Sequence, residues 1–134
     1  MFGLELIKHK RTLKQDFSEC FSSLKDDLGN VPLEMKTNAY VNGAILSVCE
    51  SYLNSQNVSK HSSKAVVIDA VFEELYRRES IPVQVQIDEW LIKKDSLFIK
   101  GYDDAVQNAD YSLNMKWLES YIQQNFEQAT GLML

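Results

Sequence analysis

The side chains able to do nucleophilic, metal or phosphate chemistry are scattered along this chain rather than gathered in motifs. The two histidines, His9 and His61, each stand alone, and no CxxC or HExxH spacing forms a zinc-binding pattern. Neither a glycine-rich phosphate loop nor a GxSxG nucleophile motif occurs. The sequence therefore predicts neither a catalytic site nor a resident metal or cofactor, and we expect a protein that is not an enzyme.

The carboxylates offer two candidate patterns. A calcium loop counted from Asp104 fails, because position 6 is Ala109 where glycine is required and position 12 is Met115. We predict that residues 101–110 form a solvated acidic connection. Asp88 and Asp95 lie seven residues apart, so they fall on one side of a predicted helix and would line a polar pocket or pair as carboxylates. The plainer interpretation is two structural carboxylates.

Large apolar side chains could surround a ligand. Helical bundles often hold small molecules between helices, in pockets lined by aromatic and apolar residues. The candidates for such a pocket are Trp90, Phe98, Met115, Trp117 and Tyr121. The same residues would serve equally as core.

Length and charge limit the class of protein. The 134 residues fit one domain, residues 1–134, and five Gly with two Pro favour helices over a turn-rich β protein. A net charge of −5 argues against nucleic acid as a partner, since such binding requires neutralising phosphates. Cys20 and Cys49 fall on apolar helix faces, so we predict reduced core thiols.

Two absences concern location. No run approaches the roughly 18 apolar residues that a membrane span requires. The segment MFGLELIKHKRTL has no apolar h-region of a secretion signal. We therefore expect a cytoplasmic protein without a membrane span.

Apolar residues recurring with the period of a helix predict an all-α fold, an irregular single-domain bundle of about five helices. Their predicted ranges are about 3–28, 37–56, 62–79, 82–100 and 110–129. Residues 81–88, IPVQVQID, alternate as a half-buried strand would. A helical wheel through residue 102 accounts for more of the pattern, so we favour a helix, with a short extended segment near 81–87 as the alternative.

Three features suggest contact surfaces. Val85, Ile92 and Ile99 recur every seven residues on a second apolar face, which predicts a helix buried centrally or, alternatively, one that meets another subunit. Gly43 and Ser47 belong to a ridge of small residues that we expect to pack inside the chain rather than to form a docking groove. The tail, with Leu132 and Leu134, either folds back onto the core or binds a partner.

The sequence thus predicts a non-catalytic helical interaction protein. It would self-associate as a homodimer or bind another protein, and an acidic inhibitor or immunity-type role is one form of this function. The alternative is a carrier or sensor of a small molecule or lipid, with an apolar pocket between helices.

Overall fold

A computed structural model describes residues 2–109 and 115–129, and these residues contain helices but no strand. The predicted all-α bundle is confirmed. The helices in chain order are α1 Phe2–Phe21, α2 Leu33–Lys36, α3 Ala39–Ser55, α4 His61–Tyr76, α5 Ser80–Lys93, α6 Ser96–Asn108 and α7 Lys116–Asn125.

One core lies between two helix pairs. Helix α1 packs against α4 and α7, while α3 packs most extensively against α6. Phe17 and Phe21 of α1, Ile45 of α3, Phe72 of α4 and Phe98 of α6 are essentially excluded from solvent. The central position of α3 explains why it is buried on most sides.

The close contact between α3 and α6 depends on two glycines. A methyl group at Gly43 would collide with the carbonyl oxygen of Phe98, and one at Gly101 would collide with the carbonyl oxygen of Tyr40. The hydroxyl of Ser47 donates to the carbonyl of Tyr102 at 2.8 Å. The small-residue ridge is therefore covered by α6 of the same chain.

The single helix predicted over 82–100 is wrong, because two helices occupy this range. Helix α5 ends at Lys94, which has a left-handed backbone (φ 54°, ψ 49°). The N–H groups of Lys94 and Asp95 donate to the carbonyls of Leu91 and Trp90, the pattern of a Schellman stop. The extended alternative near 81–87 is also wrong, since α5 is helical from Ser80.

The acidic connection predicted over 101–110 is wrong for a related reason. Residues 101–108 continue helix α6, which Asp95 caps by accepting from the N–H groups of Leu97 and Phe98 at 3.0 Å each. Gly101 lies here for close packing against α3, and it does not form a turn.

The ends of the first predicted helix differ from the structure. Helix α1 stops at Phe21, before the predicted residue 28, and a 3₁₀ turn follows over Ser22–Leu24. The hydroxyl of Ser22 donates to the Glu19 carbonyl at 2.9 Å, a side-chain bond that competes with helix continuation. Leu28, the last residue of the predicted range, lies beyond both helical segments and is 55% exposed.

Helix α3 begins as predicted, with Asn38 accepting from the Val41 N–H at 2.9 Å. Helix α4 starts at His61, one residue before the predicted range of 62–79, and it ends at Tyr76 because Arg77 has a positive φ of 55°. Helix α7 spans 116–125, within the predicted 110–129; residues 110–114 lie outside the described ranges.

Candidate functional site

The outer face of α5 carries three exposed apolar side chains, Ile81, Val85 and Ile92, with the carboxylate of Asp88 among them. At 100° per residue these four side chains fall within about 60° of one another. Ile81, Val85 and Ile92 are 71%, 56% and 81% exposed. The opposite side of α5 carries the buried residues Val83, Ile87 and Trp90. This helix is therefore apolar on two faces, and the described part of the chain buries only the one that contains Val83, Ile87 and Trp90.

Central burial of the face that contains Val85 and Ile92 was the plainer expectation, and it is wrong. Ile99 does not extend this face, because it lies on α6, after the break at Lys94. It is 41% exposed. Ile81, which the seven-residue recurrence omitted, completes the face at its other end.

The remaining interface candidates do not offer a free surface in the described part of the chain. Gly43 and Ser47 are buried under α6. Leu132 and Leu134 lie outside the described residues, so the structure gives no test of the tail.

Tyrosine–carboxylate pairs flank the contact between α3 and α6. The Tyr40 hydroxyl donates to the Asp104 carboxylate at 2.5 Å, and the Tyr102 hydroxyl donates to the carboxylate of Glu50. The bond from Tyr40 lowers the pKa of the Asp104 carboxyl, assisted by Lys100 at 3.1 Å. Burial, and then the hydrogen bond to Asp104, raises the pKa of Tyr40. Each tyrosine therefore stays protonated and holds the two helices together.

The predicted pocket residues belong to packed surfaces. Trp90 and Phe98 are buried with their ring centroids 5.8 Å apart, and Met115 is buried beside Cys20. Tyr121 stacks on Tyr40 at 4.3 Å. Trp117 is half-buried against the core. None of them lines the cleft beside Lys10 and Glu74 or the cleft beside Leu28 and Arg77.

Asp88 and Asp95 do not form a described pair. Asp95 is occupied as the cap of α6, whereas Asp88 is exposed on the outer face of α5. The interpretation of these residues as structural carboxylates holds for Asp95, whose carboxylate accepts hydrogen bonds from backbone N–H groups.

The histidines and cysteines lie in different surroundings. His9 is buried, with Nδ1 3.1 Å from the hydroxyl oxygen of Tyr52, whereas His61 is exposed at the start of α4. Cys20 and Cys49 are buried free thiols, as predicted. Burial raises the pKa of Cys20 to about 12, which keeps this thiol unreactive at neutral pH. Among the described residues, no three metal-binding side chains come together.

A cleft of about 950 Å³ opens between the loop that follows α1, the turn after α4, and residues 127–129. We call it the C-terminal cleft. Its lining includes Leu28, Leu33, Arg77, Arg78 and Ala129. Sequence reasoning missed this site, because its walls come from three distant segments. Nothing in the sequence indicates that Arg77 has a positive φ. At Gly29, which lies opposite and has a φ of 83°, the glycine itself is such an indication.

Sequence reasoning also missed the buried polar core of α3. Asn42 is fully buried; its amide donates to the carbonyls of Met35 and Asn38 at 2.9 Å, and its oxygen accepts from the Tyr76 hydroxyl at 2.8 Å. All its described bonds are internal, so this network fixes α3 against α4 and offers nothing to a ligand.

Comparison with known proteins gives no family: no family model, no curated protein and no solved structure matches this chain. Among the described helices, none has the length and apolar character needed to cross a membrane.

Proposed function

We propose that this chain is a non-catalytic interaction protein that associates with a second copy of itself through the outer face of α5. The observation that carries the proposal is the exposure of Ile81, Val85 and Ile92 opposite a fully packed inner face. Exposed apolar side chains grouped on one surface commonly mark a protein–protein contact. Burying these side chains against a partner removes their apolar area from water.

The face is self-complementary when two copies of α5 run antiparallel. Ile81 and Ile92 are eleven residues apart, about 16.5 Å along the helix axis. In an antiparallel pair, Ile81 of each copy meets Ile92 of the other. The two Val85 side chains then lie on either side of the twofold axis. The interface is thus isologous, the commonest arrangement in homodimers.

The charges around the face favour this antiparallel arrangement. Lys93 and Lys94 end the helix and Glu79 precedes it, so antiparallel pairing places basic residues of one copy beside an acidic residue of the other. It also sets each helix N-terminus beside a C-terminus, which the helix dipoles favour. A parallel pair would instead bring the lysines of the two copies together.

The acidic residues near the seam have different neighbours in this register. Glu89 lies across from Gln84 of the second copy, an amide donor, whereas Asp88 lies across from Val85. The two Asp88 carboxylates flank the twofold axis as the two Val85 side chains do, so they must remain in water for the contact to form. This requirement adds to the reasons to expect a weak dimer.

The size of the face limits the affinity. A 14-residue helix is about 21 Å long and about 10 Å wide, so its contact is well below the roughly 800 Å² per partner of a standard interface. We expect a reversible dimer with a dissociation constant in the micromolar range or weaker. The proposal places this association in the cytoplasm, and two unpaired, buried thiols support a reducing compartment.

Sedimentation equilibrium tests the proposal. The unmodified chain, measured from about 10 µM to about 1 mM, should follow a monomer–dimer equilibrium, since weak complexes dissociate over that range. Ile92→Lys should remain monomeric. The matched control is Leu4→Lys, which adds the same charge at an apolar residue of α1 that is 67% exposed, and it should dimerise normally. A chain that is monomeric throughout, or a dimer broken by the control instead, contradicts the proposal.

A further inference from the structure

We infer that the outer face of α1, formed by Leu4, Ile7, Lys8 and Arg11, binds to the surface of a membrane that contains anionic lipids. This contact is separate from the proposed association through α5, because the two surfaces lie on different helices. It assigns a partner to the densest group of basic residues in a chain that is acidic as a whole.

Basic residues are concentrated in the first half of α1. Four of the chain's 14 lysines and arginines fall within residues 8–14, which contain no carboxylate, although the whole chain has a net charge of −5. One of the four, Lys14, forms an ion pair with Glu74 at 3.9 Å. No described carboxylate forms an ion pair with Lys8, Lys10 or Arg11. These three side chains therefore keep charges that an anionic partner can neutralise.

Apolar and basic side chains share the outer face of α1. At 100° per residue, its four residues fall within about 100° of one another. Leu4 and Ile7 are 67% and 50% exposed, and Lys8 and Arg11 are exposed between them. The buried residue Leu13 lies on the opposite side of the helix. A helix with such a face lies at a membrane surface with its apolar side chains at the acyl boundary and its cations beside the headgroup phosphates.

The shape of the face favours a membrane over an acidic peptide. Its residues project from a single helix and span only about 11 Å along the axis, so they meet a flat surface together. A peptide would require the neighbouring cleft of about 540 Å³ between α1 and α4. Glu19 and Glu74 line that cleft, and their carboxylates repel an acidic peptide. Leu4 and Lys8 lie outside it.

Both kinds of side chain contribute to the expected binding. Each lysine or arginine near an anionic leaflet raises the binding constant about fivefold, so three unpaired cations raise it on the order of 100-fold. Leu4 and Ile7 remove apolar area from water when they enter the headgroup region. The acidic remainder of the chain opposes adsorption, so we expect reversible binding that depends strongly on salt.

Sedimentation with lipid vesicles tests this inference. The unmodified chain at about 0.5 µM, where the proposed dimer is dissociated, should bind vesicles of phosphatidylcholine with about 30% phosphatidylserine. It should not bind vesicles of phosphatidylcholine alone. Raising the salt concentration from about 0.1 M to about 1 M should release it, since the Debye length falls from about 10 Å to about 3 Å.

Two matched pairs of substitutions locate the contact. Lys8→Gln with Arg11→Gln should lower the binding constant about 25-fold. Lys36→Gln with Arg78→Gln removes the same two charges at the C-terminal cleft and should lower it less than about threefold. Leu4→Ser, which removes an apolar contact and no charge, should lower it about fivefold. None of these side chains is buried, so each variant should keep the helical circular dichroism of the unmodified chain.

The inference is overturned if the unmodified chain does not bind the anionic vesicles. Equal losses from the two pairs of substitutions would also overturn it, because the vesicles would then respond to net charge and not to the outer face of α1. Binding to poly-glutamate without binding to vesicles would overturn it in favour of an acidic protein partner.

Discussion

Replacing Ile92 with lysine separates a role in folding from a role in association. Ile92 is 81% exposed, so Ile92→Lys should change the free energy of unfolding by no more than about 0.5 kcal/mol. In the proposed dimer, the same side chain leaves water, and full burial of an isoleucine stabilises by about 1.5–3 kcal/mol. The 81% that is available for burial corresponds to about 1.2–2.4 kcal/mol in each copy.

The dimer buries Ile92 twice, so the variant should weaken association by about 2.4–5 kcal/mol, which raises the dissociation constant at least about 50-fold. Dilution calorimetry of a concentrated sample measures this constant, and urea unfolding followed by circular dichroism measures the stability of the monomer. An unfolded Ile92→Lys variant would mean that Ile92 belongs to the core. A folded variant with an unchanged dissociation constant would mean that the outer face of α5 is not the interface.

Three further substitutions test the packing and polar contacts of the fold by urea unfolding. Gly43→Ala should destabilise by about 1–3 kcal/mol because the methyl group collides with the backbone of α6, whereas Gly3→Ala, where the methyl meets open space, should be neutral or stabilise by up to about 1 kcal/mol. Tyr76→Phe should cost about 1–3 kcal/mol because it leaves the buried amide oxygen of α3 without its donor. Tyr40→Phe should cost only about 0.5–1.5 kcal/mol at pH 7, since the pair it breaks is partly solvated. The fold lowers the pKa of Asp104 from 3.8, so this contribution is present above that pH and is lost as the pH falls through the lowered value. The difference between Tyr40→Phe and the unmodified chain should therefore shrink in acid, and a difference that grows there would contradict the assignment.

The periodicity of apolar residues was sufficient to predict the helices and most of the core, because burial of one face dominates helix formation. It failed where a helix end carries no glycine. Lys94 adopts a left-handed conformation that the sequence does not signal, although the Asp95–Ser96 pair that follows is a recognisable N-terminal cap. Conversely, Gly101 resembled a turn residue but serves the close approach of α6 to α3.

The candidate interface could be predicted in part. The helical wheel identified Val85 and Ile92, but it also included Ile99, because a continuous helix was assumed. It left out Ile81, which lies in the first turn of α5. Whether the second face would be buried could not be predicted, since that depends on which helices surround α5. The C-terminal cleft could not be predicted for a similar reason, because its walls are formed by residues that are far apart in sequence.

The most direct test of the central claim is a search for contacts between the methyl groups of Ile81 and Ile92 by nuclear Overhauser spectroscopy. Within one helix these side chains are about 16.5 Å apart, so a cross-peak between them can arise only between two copies. The antiparallel dimer predicts this cross-peak at high protein concentration and its loss on dilution. A concentrated sample without it would contradict the claim that a second copy covers the outer face of α5.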